Sequence, residues 1–228
     1  MKKLFYLAVG VGMLLTSCAK EDSADVNQDK IYTEYEIFYN QNEDKTHALA
    51  QFHFGGPTGT LLELDSAGAN VKFNGTMMPY APLWGAHHLE FAGHVTNGTF
   101  TYTNTNGDVY TNTVSSTATI HYPIGFDTIV KSVAETFAWD GTALAQDEHV
   151  NMFVGSWQWG NDALFYTDAL GATDLVMGVN AKANLAEGNS TVYMDRVLRM
   201  DASQAPPTHG GVVRYRYRPT NVQVQVVP

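Results

Sequence analysis

The sequence predicts an all-β protein of two tandem antiparallel β-sandwiches behind a leader and a polar tether. Three observations carry that prediction. From Ile31 to the end, apolar residues recur at every second position over short windows. Glycine, asparagine and proline punctuate those windows, and threonine, valine and tyrosine are frequent. No stretch has the apolar period of a long amphipathic helix.

Taken in order, residues 31–39 place Ile31, Tyr35, Ile37 and Tyr39 on one face against Glu34 and Glu36. Residues 47–54 send Ala48, Ala50, Phe52 and Phe54 inward and His47, Gln51 and His53 outward, as in a half-buried antiparallel strand. Gly55-Gly56-Pro57 interrupts, and short strands are expected at 60–64, 70–73 and 88–91, with a turn at Asn74-Gly75. Residues 99–103 and 109–114 flank Asn106-Gly107, a hairpin signal. Seven short strands in about 85 residues is the count of an immunoglobulin-like sandwich, although the cysteine and tryptophan pattern of antibody domains is absent.

A second series follows at 118–122, 126–130, 149–154, 165–167, 174–179, 190–198, 212–217 and 221–227, with one helical turn at 181–185. The boundary is placed near 115–119, giving a first immunoglobulin-like domain over 31–117 and a second over 118–228.

Ahead of these lies an export leader. Lys2 and Lys3 precede an apolar run over 4–15, long enough for a signal peptide and too short for a permanent membrane helix. Leu15-Thr16-Ser17-Cys18 resembles the lipobox of bacterial lipoproteins. The resemblance implies cleavage after residue 17 and lipidation of Cys18, which also accounts for a single cysteine in an exported chain. Acyl chains on Cys18 then supply the membrane contact, at about 0.8 kcal/mol per buried methylene. Residues 18–30 read as a flexible, lipidated tether. Removing residues 1–17 takes away two lysines and no acid, so the net charge moves from -10 to -12. A body this acidic excludes nucleic acid as an expected partner.

Cys18-Ala19-Lys20-Glu21-Asp22 resembles the surface-export signal of Bacteroidota lipoproteins. Together with Phe73-Asn74-Gly75, Trp139-Asp140-Gly141 and the closing 210–217 segment, it makes the chain similar to cell-envelope lipoproteins of that group with tandem immunoglobulin-like domains and no assigned activity. The resemblance implies an outer-membrane anchor, surface-exposed or periplasm-facing, and a fold more than a function.

For chemistry, the sequence holds no Gly-x-Ser-x-Gly elbow, phosphate-binding glycine loop or His-Glu-x-x-His pair, so neither an enzyme nor a cofactor is expected. His87, His88 and His94 read as solvent-facing strand histidines. His88 and His94 stand about 20 Å apart on an extended strand, and a metal site would need help from His47, His53 or Glu90 across strands. Trp157 and Trp159 alternate within 155–162 and are either core rings or a ligand platform, with Gln158, Asn161 and Asp162 available for sugar hydroxyls. Arg214, Arg216 and Arg218 share one strand face, as an anion surface or as cross-strand partners of acids such as Asp195. Ser23, Ser66 and Thr128 lie in Asp-Ser/Thr-apolar tripeptides that resemble Bacteroidota O-glycosylation acceptors. The functional expectation is a membrane-anchored, non-catalytic binding, adhesion or structural module with a glycan or protein ligand. The alternative is an accessory glycan-binding lipoprotein beside an outer-membrane nutrient importer.

Overall fold

A computed structural model of the chain describes residues 21–64, 68–155 and 160–228. The strands of the first half are β1 (Glu21–Asp22), β2 (Ile31–Asn40), β3 (Lys45–Phe54), β4 (Thr60–Glu63), β5 (Asn70–Phe73), β6 (Thr76–Met77), β7 (Tyr80–Ala81), β8 (Ala86–Ala92), β9 (Asn97–Thr103) and β10 (Val109–Ser115). There follow β11 (Ile120–His121), β12 (Thr128–Val130), β13 (Glu135–Ala138), β14 (Asp140–Gly141), β15 (Glu148–Gly155), β16 (Ala163–Thr167) and β17 (Asp174–Met177). A single helical turn, α1 (Val179–Lys182), precedes β18 (Gly188–Asp201), β19 (Gly211–Arg218) and β20 (Val222–Val227). The protein is all-β.

One large sheet runs β1-β4-β3-β2-β19-β18-β15-β16, with β8 also on β3 and β20 also on β18. A smaller sheet, β10-β9-β5-β6, packs over its inner face, where Tyr35 stacks on Phe100 at 5.0 Å and Phe52 meets Tyr102 at 4.6 Å. The ribbons β11-β14 and β13-β17 add Ile120, Phe137, Leu175 and Met177 to the same hydrophobic cluster as Val150, Met152, Val192 and Met194 of β15 and β18. This is sandwich packing: period-2 strands bury one face and leave the other to solvent.

The predicted boundary near 115–119 falls between β10 and β11, yet the intervals on either side of it share a sheet. β2 pairs in parallel with β19 from Gly211↔Thr33 to Arg218↔Asn40. Alternation fixes which face of a strand is buried but not which strand becomes its neighbour. Close approach at this seam depends on Gly211, where a Cβ would stand 2.1 Å from Thr33 Oγ1.

One local expectation is met and one changes. β9 and β10 form the expected hairpin over a five-residue loop, where Thr103 pairs with Val109 and the Asn104 side chain accepts from the amides of Asn106 and Asp108. The tether, expected to be flexible through residue 30, packs against the body from residue 21. β1 pairs with β4, and buried Gln28 donates to the carbonyls of Ser23 and Val26. A side chain that can satisfy several backbone groups at once orders a segment whose composition alone reads as polar linker.

Candidate functional site

The outer face of the large sheet carries the most developed array of polar side chains. Along β19, Val213, Tyr215 and Tyr217 point into the core, so Arg214, Arg216 and Arg218 point out. Their neighbours on β2 are Glu34, Glu36 and Phe38, and on β18 Asp195. Arg214 pairs with Glu34, Arg216 Nε lies 2.8 Å from Glu36, and Arg218 binds Asp195 through two bonds of 2.6 and 2.7 Å. Arg216 also lies 3.9 Å over the Phe38 ring. Three guanidiniums thus face three carboxylates, which is the cross-strand pairing with Asp195 that the sequence suggested. The row is a locked lattice with its charge offset, rather than an unpaired cationic strip for anions.

Beside this lattice lies a groove of about 220 Å³, floored by Leu49 and Ala86 and walled by Glu34, Gln51, Arg214 and Trp84. Trp84 is 42% exposed and sits on a tight turn: its amide donates to Ala81 O at 3.0 Å, and Gly85 takes φ +57. Gln51 Nε2 holds that turn to β3 by donating to Gly85 O at 3.1 Å. Across the Arg214–Arg216 ridge a second depression of about 290 Å³ is lined by Asn151, Asp195, Val197 and Arg199.

Behind Trp84 lie His47 of β3 and His88 of β8, with ring centroids 4.9 and 4.6 Å from the indole and 5.2 Å from each other. His47 Nδ1 is 3.0 Å from His88 Nε2. Burial pushes the His88 imidazole below its ordinary value, and the neighbouring His47 adds to that shift. The expectation of solvent-facing histidines needs correction at two positions. His47 is buried under Trp84 and Phe38, and His87 lies in the core, where Nε2 accepts from Leu64 N–H and Nδ1 donates to Met78 O. His47 lies on the outer face of β3 and is covered by Phe38 and the Trp84 turn, whereas His87 shares the inward parity of Leu89 and Phe91 on β8.

Of the predicted platform, Trp157, Gln158 and Trp159 lie outside the described residues, as do Cys18 and Ser66. Asn161 and Asp162 stand just before β16, at the far end of the sheet path from Trp84. Ser23 is fully buried in a short 3-10 turn, which removes it as an accessible glycosylation acceptor. Thr128 is exposed on β12, its hydroxyl donating to Asp127 Oδ1 at 2.9 Å. Trp84 escaped the sequence reading because a lone tryptophan in Pro82-Leu83-Trp84-Gly85 has no partner along the chain. Its partners Gln51, Glu34 and Arg214 come from three separate strands.

No protein-family model matches the chain, and no curated protein matches it. Among solved structures, one described as giving structural insight into host cell surface retention of a 1.5-MDa bacterial ice-binding adhesin aligns at 16% identity and a TM-score of 0.25. The alignment covers 86% of this chain and 65% of that one, so the chain spans just under two thirds of its neighbour's length. A likeness at that score carries no argument about function. Among the described residues, no helix is long and apolar enough to cross a membrane.

Proposed function

We propose that this chain is a non-catalytic binding module of the bacterial cell envelope, anchored to the outer membrane by acyl chains on Cys18. Its ligand surface is the outer face of the large sheet. The observation that supports this reading is the groove beside Trp84: an exposed indole on a hydrogen-bonded turn, facing Glu34, Gln51 and Arg214 held rigid on three strands. Side chains fixed by strands and ion pairs lose little entropy when a ligand arrives. An indole face next to carboxylate, amide and guanidinium groups suits a sugar ring, whose apolar C–H face stacks while its hydroxyls take the polar groups. This favours a glycan over a purely apolar ligand.

Two measurements test the two parts. Cys18→Ala is expected to move the protein from the membrane fraction to the soluble fraction of its host, and continued membrane attachment overturns the anchor. On a glycan array, Trp84→Ala is expected to abolish binding that the unaltered protein shows. Binding indifferent to Trp84→Ala removes the groove from the proposal, and an array with no signal for the unaltered protein removes the glycan.

A further inference from the structure

We propose that the ligand of this face is a neutral, extended β-1,4-linked glycan, laid across the strands from the Trp84 groove to the second depression. The proposal rests on the glycan reading of the groove and adds the length, direction and linkage of the chain. The two depressions belong to one trench, because Glu36, Arg214 and Arg216 line both. Leu49, in the first, is on β3, and Val197, in the second, is on β18, with β2 and β19 between them. Three strand spacings of about 4.8 Å make that separation about 14 Å. A β-1,4-linked pyranose chain advances by close to one strand spacing per ring. With one ring in each depression, about two more lie over the ridge, so the trench suits a tetrasaccharide.

The ridge is polar and held in place. Arg214 and Arg216 are tied to Glu34 and Glu36, and the Arg216 guanidinium stacks on Phe38, while 29% and 27% of the two side chains stay exposed. Each guanidinium has more N–H donors than one carboxylate takes up, so donors remain for the hydroxyls of the middle rings. Glu34, Glu36 and Asp195 already offset the three arginines of β19, and a net charge of -10 opposes an acidic chain. That balance selects a neutral glycan. At the far end the partly buried Asn151 offers an amide donor and acceptor, and exposed Arg199 adds further donors. In β-1,4-linked glucose or mannose both linkage bonds are equatorial, which keeps the chain extended over the four strands. An α-1,4 linkage coils the chain and lifts it from one of the depressions.

The test is isothermal titration of the full chain with cellobiose, cellotetraose and cellohexaose, and with the mannose series of the same lengths. In at least one series, affinity is expected to rise about tenfold from disaccharide to tetrasaccharide and to change little beyond it. Asn151→Ala is expected to lower tetrasaccharide affinity to the disaccharide level and to leave the disaccharide unaffected, because only the longer chain reaches β15. Asn151 faces outward, so the variant keeps the core filled, and near-UV circular dichroism checks its fold. Equal affinity at all lengths, or a tetrasaccharide indifferent to Asn151→Ala, overturns the trench, while loss of binding in Trp84→Ala keeps the glycan reading. Maltotetraose bound as tightly as the β-1,4-linked tetrasaccharides overturns the extended linkage. Binding of neither series overturns the proposal, and array binding lost in Trp84→Ala then upholds the groove alone.

Discussion

Glu148 and Arg196 are both buried, and each is satisfied by more than the other. The Arg196 guanidinium donates to the carbonyls of Thr142 and Ala143 at 2.8 and 2.9 Å and to the Glu148 carboxylate, which also accepts from Thr117 Oγ1 and the Ala145 amide. Removing one member strands a buried charge, so Glu148→Ala is expected to cost about 3–5 kcal/mol in urea unfolding. A loss under 1 kcal/mol would mean that the pair is bystander chemistry. Burial alone would raise the Glu148 pKa, but the bonds from Arg196, Thr117 and Ala145 outweigh it and hold it below the ordinary carboxylate value of 4.5. Its contribution is therefore present above that value and lost in acid below it. The histidines act in a higher window. Burial depresses His88, His94 and His149. His94 Nε2 donates to the Tyr215 hydroxyl at 2.8 Å, and that hydroxyl is itself committed to Val95 O. Folded values below the unfolded 6.5 mean that the unfolded chain takes up protons first. Stability is thus full above that pH and declines as pH falls through it toward the folded values. Urea midpoints at pH 7.5 and 5.5 should differ in that direction, and the difference should shrink in His94→Gln. A midpoint independent of pH across that interval would contradict the assignment.

At the scale of elements, the seam between β2 and β19 rests on a residue with no side chain. An added Cβ at Gly211 meets Thr33 Oγ1 at 2.1 Å and Thr33 O at 2.6 Å, and backbone cannot give way as a flexible side chain can. Gly211→Ala should lose about 1–3 kcal/mol by overpacking. Gly178→Ala, where nothing lies within 4 Å and φ is -68, should stay within about 0.5 kcal/mol. Equal losses would place the effect in helix or turn propensity rather than at the seam. The elements themselves were largely legible. Alternation placed β2, β3, β15, β18, β19 and β20 within a few residues because each buries one face against an apolar layer. The sequence reading missed β13, Glu135–Ala138, whose single buried aromatic Phe137 is too little pattern to read, while Leu175 lies opposite it only through the β13–β17 pairing. The candidate site was legible in part. The outward arginine row follows from strand parity, whereas its pairing with Asp195 and the groove both depend on which strands are neighbours. Glu34, Gln51, Trp84 and Arg214 are distant along the chain and meet only once β2, β3 and β19 lie side by side.

For the molecule as a whole, that same parallel pairing decides how the two intervals depend on each other. β2 has β3 on one edge and β19 on the other, and it buries Ile31, Tyr35 and Ile37 completely. A chain restricted to residues 31–117 keeps β3 but loses β19, exposing the β2 edge from Thr33 to Asn40 together with the flank of its apolar face. A long unpaired edge beside apolar surface is a template for intermolecular pairing. The 31–117 fragment is therefore expected to aggregate or stay unfolded when expressed alone, and to become soluble when 118–228 is co-expressed and supplies β19 in trans. Thr117 strengthens the dependence, since its hydroxyl from the end of the first interval donates to Glu148 at the start of β15 in the second. The full chain should then unfold in urea as one transition seen alike by circular dichroism and tryptophan fluorescence, because the shared sheet and shared core couple the intervals. A soluble 31–117 fragment with a dispersed amide spectrum, or two separated transitions in the full chain, would show that each interval closes its own sandwich and that the β2–β19 seam merely docks finished domains.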